Sequence, residues 1–82
     1  MRIDKFLNTV NIVKRRAIGE DMLEHDVVYI NDKVVKKSKE VKVGDIIEIR
    51  YLEKTEKYQV LSIPTTKSTP KSEQDEYIKK LN

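Results

Sequence analysis

Apolar residues recur at helical spacing as far as Leu23 and at every second position from Val27 onward, and that change of period most constrains the fold. Ile3, Phe6, Leu7 and Val10 stand at i, i+3, i+4 and i+7, which is one apolar face of a helix over about residues 2–10. Asn11 permits a turn. A second helix, from about Lys14 or Arg15 to Glu24, is predicted to present Ile18, Met22 and Leu23 inward, with Ala17 helping close packing. Gly19 inside it costs about 1 kcal/mol relative to alanine, and a close helix contact explains its presence. Beyond Val27, Val28 and Ile30 alternate with Val27 and Tyr29, and Asn31-Asp32 offers a two-residue hairpin turn. Val43-Gly44-Asp45 is a second turn, where glycine is free to take positive φ. Ile46 to Leu52, with Ile47, Ile49 and Tyr51 on one face, is the strongest strand signal, and Lys57 to Ile63 is expected to be the last strand. The pattern predicts an α+β fold: two short N-terminal helices packed on a small, mostly antiparallel sheet.

Pro64 stops that sheet, and the polar run Thr65 to Lys71 with Pro70 is expected to be a linker. Residues 1–63 are therefore expected to form one domain, and residues 64–82 a linker and flexible C-terminal tail. Ser72-Glu73-Gln74-Asp75 resembles a helix start, with Lys79 and Lys80 late and Tyr77, Ile78 and Leu81 as a small apolar stripe. So short a helix is not stable alone; it docks on the domain or orders on a partner.

Eighty-two residues bury only a thin core. With no cysteine, neither disulfides nor a thiolate metal site reinforce it. No stretch is apolar and long enough to span a bilayer, and Met1-Arg2-Ile3-Asp4 lacks the apolar run of a signal peptide, so a cytoplasmic protein with no membrane partner is expected.

The net charge is only +3, but its distribution is uneven. Residues 1–16 carry Arg2, Lys5, Lys14, Arg15 and Arg16 against Asp4 alone, and residues 33–42 carry Lys33, Lys36, Lys37, Lys39 and Lys42 against Glu40 alone. Residues 20–32 hold Glu20, Asp21, Glu24, Asp26 and Asp32 with no lysine or arginine. Around the second helix this order opposes the helix dipole, which favours acids at the N-terminus and bases at the C-terminus. Cations crowded at a helix N-terminus, beside its free N–H groups, suit an anion such as phosphate. Segregated faces of this kind are the footprint of a polyanion binder.

Four segments, in order and with matching spacing, carry a resemblance: Arg2-Ile3-Asp4-Lys5-Phe6-Leu7, Lys14-Arg15-Arg16, Val28-Tyr29-Ile30-Asn31 and Val41-Lys42-Val43-Gly44-Asp45. Over about residues 1–63 they resemble the RNA-binding domain named after ribosomal small-subunit protein S-four. With nothing else attached, the chain is most similar to free-standing bacterial members of that family that act in ribosome-associated quality control, and more distantly to the fifteen-kilodalton heat-shock proteins. The resemblance implies binding to large ribosomal subunits obstructed by peptidyl-tRNA, contacts to large-subunit ribosomal RNA and to tRNA, and support for alanine tailing of stalled chains by an RqcH-type factor. It places Arg2, Asp4 and Arg16 on the family's functional positions, with Lys5, Lys14 and Arg15 on the same basic surface. Guanidinium groups present a planar fork of donors to phosphate. Asp4 cannot bind phosphate itself and is expected to aim one of those arginines or cap the first helical turn. Lys36 and Lys37 are further RNA candidates from the second lysine run, where lysine also protects sheet edges from aggregation.

Three departures from the family pattern concern the first strand: Asp26 where glycine is usual, Val27 where arginine is frequent, and Asp32 in place of the hairpin glycine. Tyr29 is the one aromatic expected to stack on a base, while Phe6 and Tyr51 are expected in the core. His25 has no nucleophile or ligand cluster around it, and no phosphate loop or paired-carboxylate cleft is recognisable, so neither enzymatic activity nor a cofactor or metal is expected. The chain is expected to be a monomer. A general ribosome-assembly or translation accessory, and a protein-interaction adaptor using the sheet edge and the C-terminal segment, stay open as alternatives.

Overall fold

The computed structural model describes all residues from Met1 to Asn82. Two helices, α1 (Ile3–Thr9) and α2 (Arg16–Glu24), precede strands β1 (Val28–Ile30), β2 (Lys33–Val34), β3 (Ile46–Arg50) and β4 (Thr55–Val60). A 3-10 helix (Lys71–Glu76) then leads into β5 (Ile78–Lys80). All strand pairs are antiparallel, in the order β2-β1-β3-β4-β5. The α+β architecture is as expected, with one strand more.

Period accounts for the layering. Ile3, Phe6 and Leu7 of α1, Val10 at its C-cap and Leu23 of α2 share one buried cluster with Val28, Ile30, Ile47, Ile49, Val60 and Ile78 from the sheet. The second helix sits differently from its expected register. Ile18 is 46% exposed, Ala17 is exposed, and it is Gly19 that is buried. A Cβ on Gly19 would lie 3.4 Å from Val13 Cγ2 and 3.7 Å from Leu7 Cβ, so the glycine does mark the helix contact. Tyr51 also departs from expectation: it lies beyond the end of β3 and is 38% exposed.

The turns follow their residues. Asn31 (φ 52°) and Asp32 (φ 68°) are both left-handed and close the β1–β2 hairpin with Ile30 opposite Lys33, the geometry of a two-residue primed turn. Gly44 takes φ 94°, while Asn11 and Asp26 occupy the left-handed region where each helix gives way to the next segment.

Residues 37–41 form a strap along the chain's start. Ile3 N–H donates to Lys39 O at 2.7 Å, Val41 N–H to Met1 O at 2.9 Å, and Arg2 bridges Glu40. Each link joins residues more than thirty positions apart, so no local signal announces the strap.

The segment expected to be a flexible tail is instead docked. Its residues satisfy the otherwise open C-terminal carbonyls of α1: Thr69 donates to Thr9 O through N–H (3.3 Å) and Oγ1 (2.8 Å), and Gln74 Nε2 donates to Val10 O (2.9 Å). The expected short helix is of the 3-10 type. Ile78, only 2% exposed, and half-buried Tyr77 pack through a strand edge rather than a helical stripe, and Leu81 is 43% exposed. β5 pairs Ile78 with Val60 and Lys80 with Tyr58. The Asn82 side chain extends that pairing, accepting from Lys57 N–H and donating to Thr55 O.

Candidate nucleic-acid interface

The starts of both helices meet at Asp4. It sits in the first turn of α1, where a carboxylate suits the dipole, and is 1% exposed. Its Oδ1 accepts from the Lys5 N–H at 2.8 Å. Its Oδ2 accepts from Arg2 Nη2 at 3.0 Å and from Arg16 Nη2 at 3.2 Å. One buried carboxylate thus both caps the turn and aims two arginines, where the sequence suggested one or the other.

Burial pushes the Asp4 carboxyl up, but the Arg16 hydrogen bond, the Lys5 N–H and the charges of Arg2 and Arg16 outweigh it and hold the group below its ordinary 3.8. Asp4 is therefore ionised at neutral pH. The arginine side chains remain about half exposed, 47% for Arg2 and 51% for Arg16, and a guanidinium has five N–H donors, more than these ion pairs use. Arg16 has a second carboxylate, Glu20, with Nε 3.3 Å from Oε1. That i, i+4 spacing is legible in the sequence.

Lys5, Lys14 and Arg15 are exposed, and none is among the chain's ion pairs. The second helix begins at Arg16, later than expected, so Lys14 lies in the connection and Arg15 is the N-cap residue, without a side-chain cap. The first turn of α2 holds no acid and its last turn no base, so the reversed charge order is real. At that end of the helix Arg16 pairs with Asp4 and Glu20, and Arg15 is in no ion pair.

Lys37 joins this region through the main chain: its carbonyl accepts from Asp4 N–H at 3.5 Å, and its side chain is free of ion pairs. Together with Lys36 it lines a shallow depression against Glu20, Leu23 and Glu24 of α2. Lys36 differs, because its ammonium is held by Asp26. Asp26 stands where a glycine is usual in the resemblance, so this departure partly neutralises one candidate.

Tyr29, the stacking candidate, is already covered on one side. The Arg50 guanidinium lies 3.9 Å from its ring centroid and is itself tied to Glu48 at 2.6 Å. No group of three or more potential metal ligands is present, and no helix is long and apolar enough to cross a membrane. What the structure brings together is Arg2 and Arg16 at one buried carboxylate, with the exposed Lys5, Lys14 and Arg15 next to them along the chain and Lys37 joined to Asp4 through its carbonyl. Such side chains can hold phosphates in a defined arrangement.

Known proteins resemble this chain in both sequence and fold. The sequence profile of the S4 domain matches residues 1–47. Over 78 residues the chain is 47% identical to a Helicobacter pylori protein named RQC P-site tRNA stabilizing factor, covering 95% of this chain and 93% of that one. A Bacillus subtilis protein of the same name is 34% identical over 66 residues, 80% of this chain and 77% of that one. Among solved structures, the solution structure of a hypothetical protein superposes with a TM-score of 0.86 at 44% identity, covering 100% of this chain and 98% of that one. The trimeric heat-shock protein 15 of Vibrio cholerae superposes with a TM-score of 0.87 at 23% identity over 99% of this chain and 81% of that one, a likeness of fold.

Proposed function

The chain belongs to the S4 domain family, and from that premise we propose that it is an RNA-binding ribosome quality-control factor that steadies P-site tRNA on large ribosomal subunits obstructed by peptidyl-tRNA. It contacts large-subunit ribosomal RNA and the tRNA in the cytoplasm, as a monomer, and supports alanine tailing of the stalled chain by an RqcH-type factor. Arg2 and Arg16 grip RNA phosphates, Asp4 positions them, and Lys5, Lys14, Arg15, Lys36 and Lys37 add charge around the grip. No catalytic step is involved.

The observation that carries this reading is the Asp4 carboxylate, 1% exposed, joined to two half-exposed arginine side chains, one from the residue before α1 and one from the start of α2. A buried ion held by two arginines that still face solvent is an aiming device for an external anion. Structured RNA offers its backbone and 2′-hydroxyls more readily than its deep major groove, so shape and phosphate contacts dominate recognition.

Co-sedimentation with large subunits, empty or carrying peptidyl-tRNA, tests it. Affinity is expected to be higher for the obstructed subunit, to fall steeply with salt, and to drop at least tenfold, roughly 1.4 kcal/mol, in an Arg2→Ala/Arg16→Ala variant. Unchanged sedimentation of that variant would remove the assigned site. Equal affinity for empty and obstructed subunits would instead favour a general translation accessory.

A further inference from the structure

Between β2 and β3 the chain walls a second, open depression of about 600 Å3, which shares Lys36 with the one beside α2 but includes neither Lys37 nor any α2 residue. Its floor is apolar and structural: Ile30 is 3% exposed and Val35 7%. Its rim carries Lys33, Lys39 and Lys42, all exposed and none engaged in an ion pair. Of the two acids at the rim, Glu40 is paired with a cation outside the groove, whereas Asp45 accepts only from neutral groups within it and keeps its charge. Glu40 is held by the N-terminal ammonium at 2.8 Å, and Asp45 accepts from Lys42 N–H at 2.9 Å and from Asn31 Nδ2 at 3.2 Å. With Asp45 counted against them, the three ammonium groups still leave a net positive charge around a concave surface.

We propose that this lysine-rimmed groove is a second RNA contact, taking a ribose-phosphate strand distinct from the one gripped by Arg2 and Arg16. The proposal rests on the RNA-binding reading above and extends it to a two-strand clamp. The strap of residues 37–41 is the wall between the two contacts, since it pairs with Met1, Ile3 and Asp4 and supplies Lys39 to the groove's rim. The groove has no aromatic residue to stack a base and no arginine to bind one bidentately. Its lysines are point charges on flexible stems, suited to following a backbone of any sequence. Lysines required only to protect the short edge strand β2 would not need to continue past it to Lys39 and Lys42.

A Lys33→Gln/Lys39→Gln/Lys42→Gln variant tests the groove alongside Arg2→Ala/Arg16→Ala, both as full chains checked for unchanged thermal melting. The probe is the purified large subunit carrying peptidyl-tRNA, with binding followed from low to moderate salt. Loss of three phosphate contacts is expected to make the slope of log affinity against log salt shallower by about 2 and to weaken binding at least tenfold at moderate salt. Adding the glutamines to the arginine variant should weaken binding further. If the arginine variant loses affinity while the glutamine variant keeps both affinity and slope, the groove proposal is overturned and the RNA-binding function stands. If the glutamine variant binds more weakly at every salt concentration with no change of slope, the groove serves a protein contact and the proposal also fails. Unchanged binding by the arginine variant, with a shallower slope for the glutamine variant, would retain the groove and remove the arginine site.

Discussion

Asp4 carries the most consequence of any residue, because three hydrogen bonds converge on a side chain that water does not reach. Asp4→Asn keeps the size and removes the charge, leaving Arg2 and Arg16 aimed by a weaker acceptor. We expect it to lower stability by about 1–3 kcal/mol in a denaturant melt, and to weaken large-subunit binding roughly tenfold although it makes the surface more positive. Tighter binding by Asp4→Asn would show that raw charge matters more than orientation. Gly19 presents the opposite case. Its missing Cβ would meet Val13 and Leu7 at 3.4–3.7 Å, ordinary contact distance, so the close approach tolerates one methyl group. Gly19→Ala is therefore expected to raise stability by up to about 1 kcal/mol through helix propensity. Gly19→Leu overfills the same contact and is expected to lower stability by about 1–3 kcal/mol, and thermal melts of the two variants should move in opposite directions.

Among the elements, β5 and the 3-10 helix before it do the most that local pattern did not announce. They close the end of α1, extend the sheet and contribute Ile78 to the core. Ile78→Ala should cost about 2–4 kcal/mol in chemical denaturation, whereas the same change at half-exposed Leu81 should be nearly silent. Equal, small effects at both positions would mean that the segment is not docked in solution. In the β1–β2 hairpin the two left-handed residues are asparagine and aspartate, which bear a steric cost that glycine avoids. Asp32 takes φ 68° within the hairpin turn, and Asp26 takes φ 60° after α2 while its carboxylate pairs with Lys36.

At the scale of the whole molecule, three carboxyls titrate below their ordinary values. Asp4 does so because its arginine and N–H partners outweigh burial. Glu40 does so chiefly through its hydrogen bond to the N-terminal ammonium. In Glu56 burial pushes up, and the Tyr58 hydroxyl, Lys54 and Lys80 more than reverse it. Since the folded values lie below the unfolded ones, the unfolded chain binds more protons near pH 4, and stability rises with pH there. The contribution is complete above the unfolded values of about 4 and is lost as pH falls through the folded ones. Exposed His25, raised by its contacts with Asp21, has the opposite sign: its contribution is present below 6.5 and fades as pH rises through the folded value. Unfolding free energy is thus expected to be nearly level from pH 7 to 5 and to fall steeply below about 4; a decline beginning at pH 6 would contradict this assignment.

The sequence by itself determined the class of fold, both sharp turns, the α1 core face and the crowding of cations around the first two helices. Those are short-range properties, written in the period of apolar residues and in the φ preferences of asparagine, aspartate and glycine. The four motif segments also carried the family. Tertiary structure decided the rest: that Ile18 turns outward while Gly19 faces α1, that Tyr51 leaves the core, that Asp26 takes Lys36, and that the C-terminal segment docks. It also decided that one carboxylate serves two arginines. Arg2 and Arg16 stand fourteen positions apart, one just before α1 and one at the start of α2, so their meeting at Asp4 depends on how the helices cross and not on any spacing along the chain.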